Sequence, residues 1–362
     1  MNTDLRARLL GALGLSLAGC SGEPFPDTLC LEADAEASCP TIEEAEDPLL
    51  YDGCGLRTLS VDGEAERVES ADTGVAGDAP VACCYPVTRV DGPDCWKMGR
   101  PYRPDGVALT APPVARDRRW SAHGATPHVF GLTDDARATL AAAWTHDALL
   151  EHASVASFAR LVLELLAVGA PADLVREAAS AAADEVRHAR LCFSLASAYA
   201  GAPTAPGRFP FGGAVPARAD LARIAADTVR EGCVGETLAA VMAAEARDGA
   251  TDPAVRAALH VIARDEARHA ELAWRIVMWA LQEGGAAVRG AVADAFAEVG
   301  RPGVGAAGVG AAASAAAGLR AHGRLDAPTA DTVATNALTE IVLPCAAAML
   351  AAIGAPDHRF AS

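Results

Sequence analysis

Lysine is almost missing from this chain. Lys97 is the single example among 30 basic residues, and the rest are arginine. Acids outnumber bases 47 to 30, which leaves a net charge of −17. A phosphate backbone needs a basic face, so nucleic acid is not an expected partner. The ten cysteines contain no CxxC pair, which argues against a thioredoxin-like redox centre or a zinc ribbon. A rubredoxin-like cysteine set and a flavin motif are also missing, so any electrons must come from a separate donor. After the first twenty residues no segment reads as a membrane span. Val304–Gly318 is nearly all Gly and Ala, and Ile341–Gly354 is short and interrupted by Pro344; they read as a loose linker and a packed helix. Apolar residues are plentiful at 51%, which excludes wholesale disorder.

Charge and cysteine are unevenly spread. Residues 21–100 hold 18 acids against five bases, and Cys30, Cys39, Cys54, Cys83, Cys84 and Cys95 all fall between residues 30 and 95. Ahead of them, Arg6 and Arg8 precede an apolar run from Leu9 to Leu17, with small residues following. That is the layout of a secretory signal, too short to cross a bilayer. The run ends in Leu17-Ala18-Gly19-Cys20, which resembles a bacterial lipobox. The resemblance implies that Cys20 is acylated and becomes the mature N-terminus. Its acyl chains would hold the protein to a membrane, at about 0.8 kcal/mol per buried CH₂. Ser21, rather than Asp, after the cysteine implies the outer membrane. The expected location is therefore the cell envelope, at the outer membrane or its periplasmic face. Export also places the six cysteines where disulfides persist. Acids, Gly and Pro dominate between them, so such a segment needs staples to hold a shape. Six cysteines allow 15 connectivities, and sequence does not choose among them. Four parts are expected: a signal over 1–19, an acidic Cys-rich region with a Pro- and Arg-rich linker over 20–120, a four-helix unit over 133–284, and a C-terminal helical extension over 285–362.

The punctuation beyond residue 133 is helical. Thr133-Asp134-Asp135 can cap a first helix running to about Val168, which Gly169 stops. Pro171 opens a second helix that ends at Gly201. A third runs from about Arg218 to Asp248, and Asp252-Pro253 opens a fourth that ends near Gly284. These are ordinary helix start and stop signals. Further helices are expected over about Ala286–Val299 and Thr329–Ile353, the latter kinked at Pro344. The fold class is thus mostly α.

Each of the four apolar stripes carries charge. Glu151 lies in line with Trp144, Val155 and Phe158; Glu185 and His188 with Ala181 and Cys192; Glu266 and His269 with Ile262 and Ala273. On the third helix Glu231 shares the stripe of Ile224, Thr228 and Leu238. Carboxylates on a core face are costly unless a counter-charge accompanies them. The spacing also repeats: Glu151 to Glu231 is 80 residues and Glu185 to Glu266 is 81, with Asp184-Glu185-Val186-Arg187-His188 matching Asp265-Glu266-Ala267-Arg268-His269. Duplication of a two-helix hairpin is the simplest account. In Glu-x-x-His the two side chains lie one turn apart and about 60° apart, so both reach one metal. Four Glu and two His make a cage whose four negative charges match two divalent cations. Oxygen and imidazole ligands suit iron, with manganese possible, rather than calcium. Glu231 and Glu236 are five residues apart, about 140° on a regular helix, so both face inward only across a π-bulge. Glu231 is the expected ligand and Glu236 the fallback. Gly232 and Gly235 leave room beside the metals or allow close helix packing, and sequence leaves that choice open.

This constellation resembles the ferritin-like di-iron superfamily, over the roughly 150 residues of the four helices, and most nearly the domains of bacterial tRNA hydroxylases and rubrerythrins. The resemblance implies a four-helix bundle with Glu185 and Glu266 bridging two metals, His188 and His269 each holding one, and Glu151 and Glu231 terminal. It implies that Asp184 and Asp265 orient the ligand histidines. Three functions follow as expectations: an oxidase, peroxidase or oxygenase acting on O₂ or peroxide; a structural or binding lipoprotein whose metals only hold the bundle; and iron oxidation and storage.

Overall fold

A computed structural model of the chain describes residues 28–33, 59–61, 66–69, 81–89, 100–103, 108–115, 117–120, 126–213, 215, 217–299 and 318–354. The expected signal and Cys20 lie outside these residues, as do Cys39, Cys54 and Cys95. Cys30, Cys83 and Cys84 are placed only as strand positions, so the expected disulfides fall outside the described residues too. The acidic region contributes strands. β1 (Thr28–Ala33), β2 (Leu59–Val61) and β3 (Glu66–Glu69) all pair antiparallel with β4 (Val81–Arg89). The register sets Cys30 opposite Cys84 and Leu59 opposite Arg89.

The rest is mostly helical. α1 (Asp134–Ala167) starts where Thr133 accepts a hydrogen bond from the Ala136 backbone N–H, and α2 (Ala172–Ala200) follows a turn through Gly169. Gly169 and Gly201 close the two helices at φ 70°, a left-handed conformation that glycine adopts without a Cβ clash. Asp220 caps α3 (Leu221–Thr228), accepting from the backbone of Ala222 and Arg223. α3 runs without a break into an eight-residue π-helix, π1 (Val229–Glu236), and on into α4 (Thr237–Gly249). Asp252 and Pro253 open α5 (Pro253–Glu283), as their sequence suggests. α6 (Gly285–Val299) follows, and then α7 (Ala327–Ala337), π2 (Leu338–Val342) and α8 (Leu343–Gly354). Pro344 lacks an N–H; ahead of it the Leu343 N–H reaches back five residues to the Leu338 carbonyl. The helix thus passes the proline through a π turn.

α1 packs along α2, and the α3–π1–α4 stretch packs along α5; α2 and α5 join the two hairpins. Trp144, Phe193 and Trp274 are fully buried between them, each worth a few kcal/mol of apolar burial. α7 packs on α4, and α8 lies against α5 and α6. Among the described residues, Ala327–Ile353 is long and apolar enough to cross a membrane by length and composition; one face of it, with Ala334, Leu338, Ile341, Cys345 and Met349, lies in the core. The stretch expected as a linker also docks. Arg100, Tyr102 and Ala111 are buried, Tyr102 N–H donates to the Ala153 carbonyl of α1 (3.3 Å), and β5 (Pro113–Ala115) pairs with β6 (Thr204–Pro206). Proline and arginine there mark a strap held by tertiary contacts, which local turn signals do not reveal.

Gly232 explains itself by packing: a Cβ at that position would overlap the Ala273 Cβ of α5. Gly→Ala within a helix normally stabilises, by about 1 kcal/mol. We expect Gly232→Ala instead to destabilise by about 1–3 kcal/mol, the usual range for overpacking, and Ala273→Gly in the same chain to recover part of the loss. Thermal unfolding of the two single variants and the double variant checks this; additive losses would show that the two residues do not collide.

Candidate metal centre

The interior of the two hairpins holds six buried ligand-type side chains from four helical stretches. Glu151 comes from α1, Glu185 and His188 from α2, Glu236 from the end of π1, and Glu266 and His269 from α5. They form two overlapping groups that could hold a metal ion. One is Glu151, Glu185, His188 and Glu266, and the other is Glu185, Glu236, Glu266 and His269; within each, the candidate ligand atoms lie within 4.8 Å of one another. Glu185 and Glu266 belong to both. His188 Nδ1 is 3.1 Å from Glu266 Oε1 and 3.6 Å from Glu151 Oε2, and His269 Nδ1 is 3.0 Å from Glu185 Oε1. Neither carboxylate oxygen of Glu151, Glu185, Glu236 or Glu266 has a hydrogen-bond partner, and neither Nδ1 has one. Buried polar groups are almost always satisfied, so this convergence of orphaned oxygen and nitrogen donors fits a cation.

The opposite edges of the imidazoles are satisfied crosswise. His188 Nε2 lies 3.2 Å from Asp265 Oδ2, and His269 Nε2 lies 3.4 Å from Asp184 Oδ2. Each aspartate thus serves the histidine of the other helix. With both aspartates ionised, each Nε2 donates and each Nδ1 turns its lone pair inward. Arg187 and Arg268 each bridge Asp184 and Asp265, tying α2 to α5 over this edge of the centre. Burial works against both charged aspartates, but their imidazole and guanidinium partners outweigh it and hold them below the usual carboxylate range.

Glu231, expected as the ligand from the third helix, belongs to neither group. Its carboxylate accepts from Arg160 Nη2 at 2.9 and 2.8 Å, from Arg100 Nε at 3.0 Å and from Ser157 Oγ at 3.1 Å. Burial raises its proton affinity, but Arg100 and then Arg160 prevail and keep it ionised. Glu236, the fallback, takes the inward place. The physical reason is π1: its wider turn changes the relation between positions five apart, so the regular stripe through Ile224, Thr228 and Glu231 does not continue. Arg100, Ser157 and Arg160 were not legible as partners of Glu231. The four apolar residues Gly232, Cys233, Val234 and Gly235 between the two acids were the available signal of an inward-facing wide turn. Of the side chains beside the centre, Cys192 is buried, and burial followed by the nearby Glu151 and Asp147 keeps it a neutral thiol. His152 instead meets the edge of Trp120, with ring centroids 4.8 Å apart. A cleft of about 440 Å³ between α2 and α5 is lined by Asp184 and His269, with Ser180, Ala181 and Leu272, at the outer edge of the centre.

Comparison of the chain with models of protein families, with curated proteins and with solved structures finds no match.

Without a cation, protons must balance the charge. Burial and then Glu185 push Glu151 well up, and burial and then Glu266 push Glu236 well up. Burial disfavours both imidazolium ions, yet Asp265 and Asp184 and the surrounding carboxylates raise His188 and His269 well above their usual value. Burial likewise opposes charge on Glu185 and Glu266, but the neighbouring side chains hold them below the ordinary range. The raised groups bind more protons folded than unfolded, so stability falls as pH rises above about 4.5 for the two carboxyls and above 6.5 for the imidazoles. The lowered carboxylates act oppositely, contributing above about 4.5 and losing that contribution as pH falls. We expect the metal-stripped protein to be less stable at about pH 8 than at about pH 5.5, and saturating divalent metal to reverse the order, because metal displaces those protons. Denaturant melts at the two pH values, with and without metal, read this; unchanged ordering on metal addition would contradict it.

Proposed function

We propose that these helices form a ferritin-like four-helix bundle holding two divalent ions, iron or manganese, and that the chain is a lipid-anchored oxidoreductase of the cell envelope acting on O₂ or peroxide. The observation that carries the reading is the set of carboxylate oxygens and Nδ1 atoms, without hydrogen bonds, that converge in two overlapping groups. Four Glu and two His, with one Glu-x-x-His on each of two helices, is the donor set of di-iron and di-manganese carboxylate bundles. When bound, such a pair of ions supplies the redox capacity toward O₂ or peroxide.

The chain's own residues do the rest. Glu185 and Glu266, which belong to both groups, would hold both ions. Glu151 and His188 complete one position, and Glu236 and His269 complete the other. Asp184 and Asp265 hold the imidazoles in orientation. Phe158, packed edge-on to His269 with centroids 5.1 Å apart, keeps water from that side. The donor of electrons would be a separate molecule.

Two measurements test the reading. After anaerobic ferrous reconstitution, mass spectrometry should find two metals per chain, with Glu185→Ala losing more than His188→Ala because a shared carboxylate serves both ions. At a free metal concentration a hundred times Kd, the fold should gain about 2.7 kcal/mol per site. Fewer than about one metal per well-folded chain would contradict the proposal. An oxygen electrode then separates the functions: the ferrous protein should consume O₂. Two bound metals without consumption would leave the structural role, and large iron-retaining particles would mark storage.

The anchor is tested separately. Globomycin, or Cys20→Ala, should make unprocessed precursor accumulate; normal processing under both would remove the lipid from the account.

A further inference from the structure

The π-helix that brings Glu236 into the centre needs something to hold it, since π segments are rare and a sequence left to itself winds as α. Glu231 stands near the start of π1 and Glu236 at its end. Three residues grip Glu231. Ser157 and Arg160 come from α1, roughly two turns and two and a half turns beyond Glu151, and Arg100 comes from the strap outside the helices. Arg100 is 2% exposed, and its guanidinium also lies over the Phe158 ring, 5.3 Å from the centroid. Arg160 is braced from both sides, over the Tyr102 ring at 5.3 Å and 3.7 Å from Glu164 Oε2. Beside the Arg100 guanidinium, Gly232 lets π1 close onto Ala273 of α5.

We infer that Arg100 and Glu231 form a positioning clamp that holds π1 in its wide turn and thereby places Glu236 at the second metal position. The inference rests on the two-ion reading above. An α-helix in place of π1 would have one residue fewer per wide turn to accommodate. Rewinding would therefore turn one flank by about 100°, the rotation of a single helical residue. α3 is held by its packing on α5 and α6, so the rotation would fall on the α4 side, where the Trp274 indole N–H donates to Thr237 Oγ1 at 3.4 Å. Release of Glu231 would let the turn between α3 and α4 rewind and carry Glu236 away from Glu266 and His269. The other position, built from Glu151, Glu185, His188 and Glu266, uses no residue of π1. A clamp therefore predicts selective loss of one ion. Arg100 cannot itself ligate a cation, so its removal separates positioning from ligation.

The test uses the full chain in detergent, loaded with manganese, as wild type, Arg100→Met and Glu231→Gln. Metal per chain is read by mass spectrometry and coupling by electron paramagnetic resonance, with circular dichroism to confirm that each variant is folded. Wild type should hold two ions that couple magnetically. Both variants should fall to one, with the coupled signal replaced by the six-line signal of an isolated Mn(II). If Arg100→Met does not fold, Arg100→Gln, which likewise removes the positive charge from Glu231, decides by the same criterion. Two coupled ions in folded Arg100→Met would overturn the clamp, and so would loss of an ion in Glu231→Gln alone, which would make Glu231 a ligand. A wild type without two ions would defeat the two-ion reading itself, and the clamp with it.

Discussion

Four carboxylates at zero exposure in one small volume set the terms for everything around them. Moving a carboxylate into a low-dielectric interior costs several kcal/mol even after relaxation. Four of them repel one another as well, so the site can exist only with positive charge inside it. Two imidazoles cannot supply four charges. The fold accordingly has two ways to balance: protons on the histidines and on Glu151 and Glu236, or cations among the orphaned oxygens. The helices gain their packing from apolar faces, but the arrangement of those faces makes sense only around that balance.

The supporting charges are arranged to keep the two ways distinct. Asp184 and Asp265 stand behind the imidazoles, and four arginine–aspartate bridges, two within a helix and two crossing between α2 and α5, neutralise them outside the centre. Glu231 is neutralised by Arg100 and Arg160, so it makes no demand on a cation. Around the centre each of these acids is therefore either paired with arginine or turned into the common volume. The division is the chemical signature of the site, because a stack of carboxylates that were all paired would have no use for metal.

Much of this was legible in the chain. The two hairpins follow from Thr133, Gly169, Gly201, Asp252 and Pro253, whose effects on helix ends are local. Five of the six inward side chains follow from periodicity, because α1, α2 and α5 are regular helices in which spacing translates into a face. The sixth did not, for the same reason: on π1 spacing and face part company, and Glu231 and Glu236 exchange the places a regular helix would give them. The docking of Arg100 and Tyr102 was also hidden. A strap is held by contacts distant in sequence, Arg100 to Glu231 and Tyr102 to Ala153, and a run of proline and arginine carries no record of them. The strands that pair with β4 were missed because they are short, at six, three and four residues, and pair across long separations in sequence.

The most direct test is anomalous X-ray diffraction from crystals grown with iron or manganese, recorded at the metal edge. Two peaks are expected, both within bonding distance of Glu185 and Glu266. One should be completed by Glu151 and His188, the other by Glu236 and His269, with Glu231 still on Arg100 and Arg160. A single peak, a peak coordinated by Glu231, or no peak in the well-ordered helical region would contradict the account.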